Sequence, residues 1–554
     1  MNQSIRTILI TAAALAIFVQ LGILVGQGEI LLPVLAGIIC LVVGGFKLVI
    51  PGVNPGASCL AFLVFGYLVG NRGFASLGLF VVYIGEVGML LATVFVLLSQ
   101  RFKFFNGFRG LLGGLVFALL AIGGIRLSYD LLGPNNVDTM DAIRDSAASY
   151  YAWFFPLGFG IALLPKSQAF MIRALRWSCL VSLVVGMAYY FREDWFYTPA
   201  FRGRPLIQFK GDLLGMCFGI GVATFGTAAL GHRSRVMAGI FAGLFFMAAT
   251  ACMMGQSRAA YLGVAAGILV MFLAAGPGYF VRRFLPSGII AGVVGVVVLM
   301  SLLNIPKFQT RAEEIWETST ARIETIISPF DEQVDNDATQ MARQNSRFRI
   351  AWWTAVVEEV YERNLFFGIG FGEPIALKRF VSTYELPLDI EDDEAVVRSP
   401  HSIAFTLFGR FGLVGAAWVL VFLGAIINLA WRSVRAVHRG VMSYSDLTAL
   451  AVALVVLVTS MFGVVMEGPM GGIPFWTFLG LAYGTLRRSE AHAAANAAAA
   501  AAVAASEPAA PSAPAGRVRE RVRRERQYPQ RERSKNLWKQ PPVAEPGARE
   551  PRGE

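Results

Sequence analysis

The 554-residue sequence is poor in charge, in histidine and in cysteine. Only 15% of its residues are charged, against about 25% in an ordinary soluble domain. Its five cysteines (Cys40, Cys59, Cys179, Cys217, Cys252) all fall in apolar runs, with no CxxC or histidine spacing. They support neither a disulfide framework nor a zinc site and read as small buried apolar residues. With four histidines and no carboxylate–histidine ligand spacing, a metal-assisted reaction is poorly served. No internal repeat suggests the inverted halves of a transporter. The apolar runs hold little charge beyond Glu86, whereas a transport path should line its midplane with polar groups.

What the chain has in abundance is apolar residues, 55% of the total. They are arranged in uncharged runs of about 20 residues, each long enough to cross roughly 30 Å of hydrocarbon. In lipid such runs must be helices, because each backbone N–H and C=O has to be satisfied within its own segment. The expected fold is therefore all-α, a polytopic integral membrane protein of about 12–14 transmembrane helices. The expected spans are 7–25, 30–48, 55–70, 75–98, 109–127, 150–164, 174–191, 208–230, 236–253, 257–276, 284–303, 402–430, 446–466 and 470–486. The first run has no small-residue cleavage site and is followed by many others, so it reads as a span and not as a removed signal peptide.

Lysine and arginine in the short loops set the orientation. One set of alternate loops is basic: Arg101, Lys103 and Arg109; Lys166, Arg173 and Arg176; Arg233 and Arg235; Arg282 and Arg283; Arg432, Arg435 and Arg439. The other set holds the acidic stretch from Asp130 to Asp145, the Glu193–Asp194 pair and the one large loop, 304–400. The first set is expected in the cytoplasm, with both termini, and the large loop outside. The chain then divides into N-terminal spans (1–303), the large periplasmic loop with an amphipathic helix (304–400), C-terminal spans (401–487) and a tail (488–554). The tail runs from an alanine tract into Pro/Ala and arginine-rich sequence that cannot build a core, and it reads as disordered. With no aromatic platform beside its arginines, nucleic-acid binding is not expected; attraction to anionic lipid is.

Ionisable groups at the outer face are the informative ones, since burying them is costly unless they are used or paired. His232 and His438 lie in basic loops and His492 in the tail, which leaves His401 alone on the outer side. Imidazole suits proton transfer near neutral pH, so His401 is the candidate general base. Arg258 opens an apolar span on the side where arginine is disfavoured, and a guanidinium fork pairs well with phosphate. Arg347 and Arg349 precede Ile350-Ala351-Trp352-Trp353, within an amphipathic helix expected over 346–361. Arg204 and Lys210 precede the span at 208–230. Several cations and one histidine outside suit a diphosphate leaving group handled without a metal. Gly368-Ile369-Gly370-Phe371-Gly372 lacks the strand and helix of a dinucleotide loop and reads as a glycine-rich turn. The acidic run Glu391 to Glu394 reads as solvated loop, from which one carboxylate could orient the imidazole.

Three segments resemble the O-antigen ligase and Wzy-type polysaccharide polymerase superfamily. Ser257-Arg258-Ala259-Ala260 is similar to its Ser-Arg-Gly/Ala opening of a span. Arg347-Phe348-Arg349-Ile350-Ala351-Trp352-Trp353, followed by Asn364-Leu365-Phe366-Phe367-Gly368-Ile369-Gly370, resembles its arginine–tryptophan and Asn-Pro-Leu-x-Gly-x-Gly stretch. Ser399-Pro400-His401-Ser402, with Gly409-Arg410-Phe411-Gly412, resembles its histidine motif and the glycines after it. Ser402 stands where asparagine is usual, Phe366 where proline is, and Asp212 where asparagine is common.

The resemblance implies an inverting glycosyltransferase of the bacterial inner membrane, with its active site on the periplasmic face. It implies an undecaprenyl-diphosphate-linked glycan as donor, a glycan or lipid A–core as acceptor, and no metal or other cofactor. Carried over by residue, Arg258 and Arg349 (or Arg347) would bind the diphosphate, and His401 would activate the acceptor hydroxyl. A ligase attaching a finished glycan and a polymerase joining lipid-linked repeat units both fit. A lipid-linked sugar transporter is the remoter alternative.

Overall fold

The computed structural model describes residues 52–79, 82–133, 137–197, 199–201, 204–255, 257–302, 337–384 and 398–506. The expected spans 7–25 and 30–48, the acidic run Glu391 to Glu394, residues 303–336 and the tail beyond residue 506 lie outside the described residues. The chain forms two compact units, Met1–Ala491 and His492–Glu554. Of the second, the described residues are helical.

The first unit is an all-helical, multi-pass membrane bundle. Among the described residues, seven helices are long and apolar enough to cross a bilayer. In chain order the helices used below are α1 (Pro55–Val69), α2 (Ile84–Gln100), α3 (Gly110–Leu132), α4 (Thr139–Asp145), α5 (Phe154–Ala162), α6 (Pro165–Phe191), α7 (Gly211–Gly231), α8 (Arg235–Met254), α9 (Arg258–Ala275), α10 (Pro277–Leu302), α11 (Asp337–Asn364), α12 (Leu377–Tyr384), α13 (Ile403–His438), α14 (Tyr444–Ser460) and α15 (Pro469–Ser506). Strand structure among the described residues is limited to two short antiparallel hairpins, Gly78–Leu79 with Val82–Tyr83 and Pro199–Phe201 with Arg204–Pro205.

Two expected spans take a different form. The one read over 75–98 starts at Ile84, because Gly78–Leu79 and Val82–Tyr83 pair as short strands. The one read over 150–164 is the nine-residue helix α5, entered through the short helical turns Ala147–Tyr150 and Tyr151–Trp153. The backbone stays helical through both turns and on to Leu163, so α5 is the end of a longer helical segment. Its apolar side chains are buried against neighbouring helices, as those of α7 are. The amphipathic helix expected over 346–361 is present within the longer α11.

α7 lies at the centre, buried along its length and packed by α6, α8, α9 and α14. Its small residues make this possible: a Cβ on Gly226 would sit 2.7 Å from the Met271 sulfur of α9. α9 and α14 also meet closely, since a Cβ on Gly263 would lie 2.6 Å from the Val455 carbonyl oxygen. The bundle exterior is greasy, with Leu420 and Ile427 of α13 exposed by 71% and 69%. Such side chains are at home when the solvent is lipid.

α13 breaks at Gly412, whose backbone (φ 61°, ψ −143°) is not helical. The break frees the carbonyls of Gly409 and Arg410 to accept hydrogen bonds from Ile369 N–H (2.7 Å) and Gly370 N–H (3.3 Å). In return, Leu413 N–H donates to the Leu365 carbonyl at 2.9 Å. Gly368, Gly370 and Gly372 all have positive φ. A Cβ on Gly368 would lie 2.6 Å from the Gly409 oxygen. The two glycine motifs are therefore the two halves of one interlocking joint between the loop after α11 and the break in α13.

Candidate functional site

The joint positions a turn, Arg398 to Ser402, that leads into α13. Its neighbours hold it from several sides. The Trp353 indole N–H of α11 donates to the Pro400 carbonyl at 2.7 Å. The Ser399 and Thr406 hydroxyls both donate to the Glu467 carboxylate in the segment before α15. Ser402 caps α13 through its backbone, its carbonyl accepting from Thr406 N–H at 2.8 Å. Within this frame His401 has φ 55°, a left-handed conformation unusual for a side-chain-bearing residue. Such geometry persists where the surroundings over-determine it.

The imidazole rests on an aromatic wall. Its ring centroid lies 6.0 Å from Phe348 and 5.9 Å from Trp352. Trp352 is fully buried, stacks on Phe380 of α12 and donates its indole N–H to the Ile375 carbonyl at 2.8 Å. Three charged groups act on His401 across the site: Lys210 just before α7, Arg349 on α11 and Asp212 on α7. Burial first, then the positive charges of Lys210 and Arg349, hold the imidazole well below its ordinary range, at about 4, against a smaller opposing effect of Asp212. His401 is thus kept neutral near pH 7, with a lone pair to accept a proton.

Arg349 also faces a second space. A cavity of about 230 Å³ is lined by Arg258, Ala259, Leu262, Arg349, Ile350, Trp353 and Phe462. Arg258 is the first residue of α9, whose N-terminus is capped by the Ser257 hydroxyl accepting from Ala260 N–H at 3.3 Å. A helix start already carries partial positive charge, so a guanidinium there compounds an anion-attracting field. Two arginines from different helices share one largely apolar cavity, a setting where charge–charge attraction is stronger than in water.

Of the residues singled out in the sequence, His401, Arg349 and Lys210 are brought together, and Arg258 joins Arg349 at the cavity. Arg347 is exposed on α11, and Arg204 is exposed on the second hairpin; neither lines that cavity. Sequence reasoning passed over Trp353, Arg398, Arg410 and Glu467 as functional residues. A carboxylate between two apolar runs was the available signal for Glu467, and adjacency to His401 the signal for Arg398. Among the described residues, no three histidine, cysteine, aspartate or glutamate side chains gather as a metal ion would need.

Residues 242–420 match the family model described as O-antigen ligase. The matched stretch runs from α8 into α13 and includes Arg258, Arg347, Arg349 and His401, so the motif resemblance and the match fall on the same residues. Lys210, Asp212 and Glu467 lie outside it. No curated protein matches the chain.

Proposed function

We propose that the chain is an O-antigen ligase-like inverting glycosyltransferase of the bacterial inner membrane, acting on its periplasmic face. The observation that carries this reading is the pairing of Arg258 and Arg349 around one cavity, with His401 beside Arg349. Basic loops at the opposite helix ends support the orientation.

The donor is a glycan on undecaprenyl diphosphate, its diphosphate between the two guanidiniums and its prenyl chain against Leu262, Ile350, Trp353 and Phe462. The acceptor hydroxyl, on lipid A–core or another surface glycan, attacks the anomeric carbon opposite the departing diphosphate and inverts its configuration. His401 takes the hydroxyl proton as the new bond forms. Arg258 and Arg349 match the negative charge that develops on the leaving oxygen. Each such group commonly contributes ~10² to 10³ in rate. Nothing in this step calls for a metal. Lys210 adds positive potential near the leaving group, and Arg204 and Arg347 guide anionic substrate from the exposed surface.

Complementation of a strain deleted for the gene, with His401→Ala and Arg258→Ala checked for membrane levels, tests the reading. Stable variants that leave surface glycan defective support it. Accumulated long lipid-linked chains then indicate a ligase, and single unpolymerised repeats a Wzy-type polymerase. Normal surface glycan from both variants refutes the catalytic assignment and brings a transporter forward.

A further inference from the structure

One carboxylate lies behind the turn that carries His401. Asp145, the last residue of α4, is 4% exposed at its side chain. It accepts from Arg398 Nε at 3.0 Å and from Arg398 Nη2 at 2.8 Å, a two-point fork. It accepts also from Gly372 N–H at 2.9 Å and forms an ion pair with Arg410, whose Nη2 lies 2.9 Å from its Oδ2. Three hydrogen bonds and a second guanidinium surround the carboxylate. These groups come from three separate segments: the glycine-rich loop, the residue three before His401, and α13 just ahead of its break.

The two guanidiniums extend the grip. Arg398 reaches Asp141 Oδ2 at 2.8 Å and the Gly372 carbonyl at 2.9 Å. Arg410 donates to the carbonyls of Gly370 and Glu373, each at 2.6 Å. A neighbouring pair repeats the pattern, with Arg126 bound to Asp130 at 3.0 Å and Asp130 accepting from Phe371 N–H at 2.7 Å. The interlocking joint and the histidine turn are thus fastened to α3 and α4 by buried ion pairs, and residues 398 and 410 bracket His401 on both sides.

We infer that Asp145 is a positioning residue for His401, acting through Arg398 and Arg410 to hold the left-handed turn that keeps the imidazole against the Phe348–Trp352 wall. Buried pairs of this kind contribute definition of geometry more dependably than net stability. The inference deepens the transferase reading, since the value of fixing His401 rests on its role there.

The test reads His401 directly and needs no substrate. The full-length protein in lipid nanodiscs is treated with diethyl pyrocarbonate across a pH series, and carbethoxylation of each histidine is followed by mass spectrometry. His438, exposed at the other end of α13, is the internal reference. Arg398→Lys keeps the charge but cannot form the fork; Asp145→Glu keeps the charge and displaces it by one methylene. In the wild type His401 should label slowly, with a midpoint well below that of an ordinary imidazole. That midpoint reflects burial together with Lys210, Arg349 and Asp212. In either variant His401 should label several-fold faster and its midpoint should rise as burial is relaxed, with His438 unchanged. A folded variant of either kind that labels His401 at the wild-type rate and midpoint overturns the inference. Unfolding would also expose His401 and raise its midpoint, so the unfolding temperature of each variant is measured alongside and labelling is compared only in variants that melt as the wild type does. An active His401→Ala enzyme would instead overturn the transferase reading and leave the labelling result standing.

Discussion

Trp353 of α11 donates its indole N–H to the carbonyl of Pro400 at 2.7 Å, so one bond ties the helix bearing Arg349 to the turn bearing His401. The same indole lies stacked on Phe405 (4.8 Å, 8° between planes) and forms part of the cavity shared by Arg258 and Arg349. The proposed leaving-group site and the proposed base therefore share a residue.

Trp353→Phe keeps the stacking surface and removes the donor. Leaving a carbonyl unsatisfied costs about 1–3 kcal/mol. Expressed in the chemical step, the loss should lower turnover by roughly tenfold, with the thermal midpoint in detergent falling only slightly. Transfer assays on the purified variant check this, and unchanged turnover would show that the bond does not align the two halves.

The neutral state of His401 predicts an unusual pH profile. A base must be unprotonated to act, and burial with Lys210 and Arg349 holds this imidazole at about 4. Activity should therefore persist on acidification well past 6.5, the ordinary histidine value, and fall only towards pH 4. Lys210→Met removes a charge that lowers the value, so its acid limb should move up; Asp212→Asn removes one that raises it, so its limb should move down. Profiles of kcat/KM for the three proteins check both directions. The unfolded chain binds the proton between pH 6.5 and 4 where the folded chain does not, so this group also lowers stability as pH falls through that window.

Glu467 accepts from Ser399 and Thr406 in a partly buried setting, and desolvation raises its carboxyl above the ordinary glutamate range. Glu467→Ala strands both hydroxyls and should cost about 1–3 kcal/mol of stability. Glu467→Gln, which still offers an acceptor oxygen, should recover most of it. Thermal unfolding of the two variants side by side is the measurement; equal losses would mean that the volume, and not the hydrogen bonds, matters.

Gly412 and Gly424 sit in the same helix with opposite demands. A Cβ on Gly412 meets the Gly368 nitrogen at 2.7 Å, on a backbone with φ 61°, whereas a Cβ on Gly424 meets nothing within 4 Å. Gly412→Ala should destabilise by more than the ~1–3 kcal/mol typical of a strained backbone, because the joint must open as well. Gly424→Ala should be neutral or stabilise by up to about 1 kcal/mol through helix propensity. Unfolding midpoints in detergent separate them.

The sequence made the all-helical membrane fold legible, because uncharged runs of spanning length have few other uses. Sidedness of charge then singled out Arg258, Arg349, Lys210 and His401; Arg258 and Arg349 line one cavity, and Arg349 and Lys210 act on His401. At 150–164 the helix is entered through the turns Ala147–Tyr150 and Tyr151–Trp153, which span periodicity alone did not mark. The ion pairs behind His401 were not legible: Asp145 and Arg398 are 253 residues apart, and nothing local to either names the other. The glycine motifs were visible separately, but their union at Gly368 and Gly412 depends on a helix break that only packing reveals.

The most direct test of the account is transfer by the purified full-length protein in nanodiscs, supplied with lipid-linked glycan extracted from the deletion strain and with acceptor lipid from the same cells. The wild type should release undecaprenyl diphosphate as glycan appears on the acceptor. His401→Ala should still bind donor but release undecaprenyl diphosphate at least ~10²-fold more slowly. Release by His401→Ala at the wild-type rate would contradict the account.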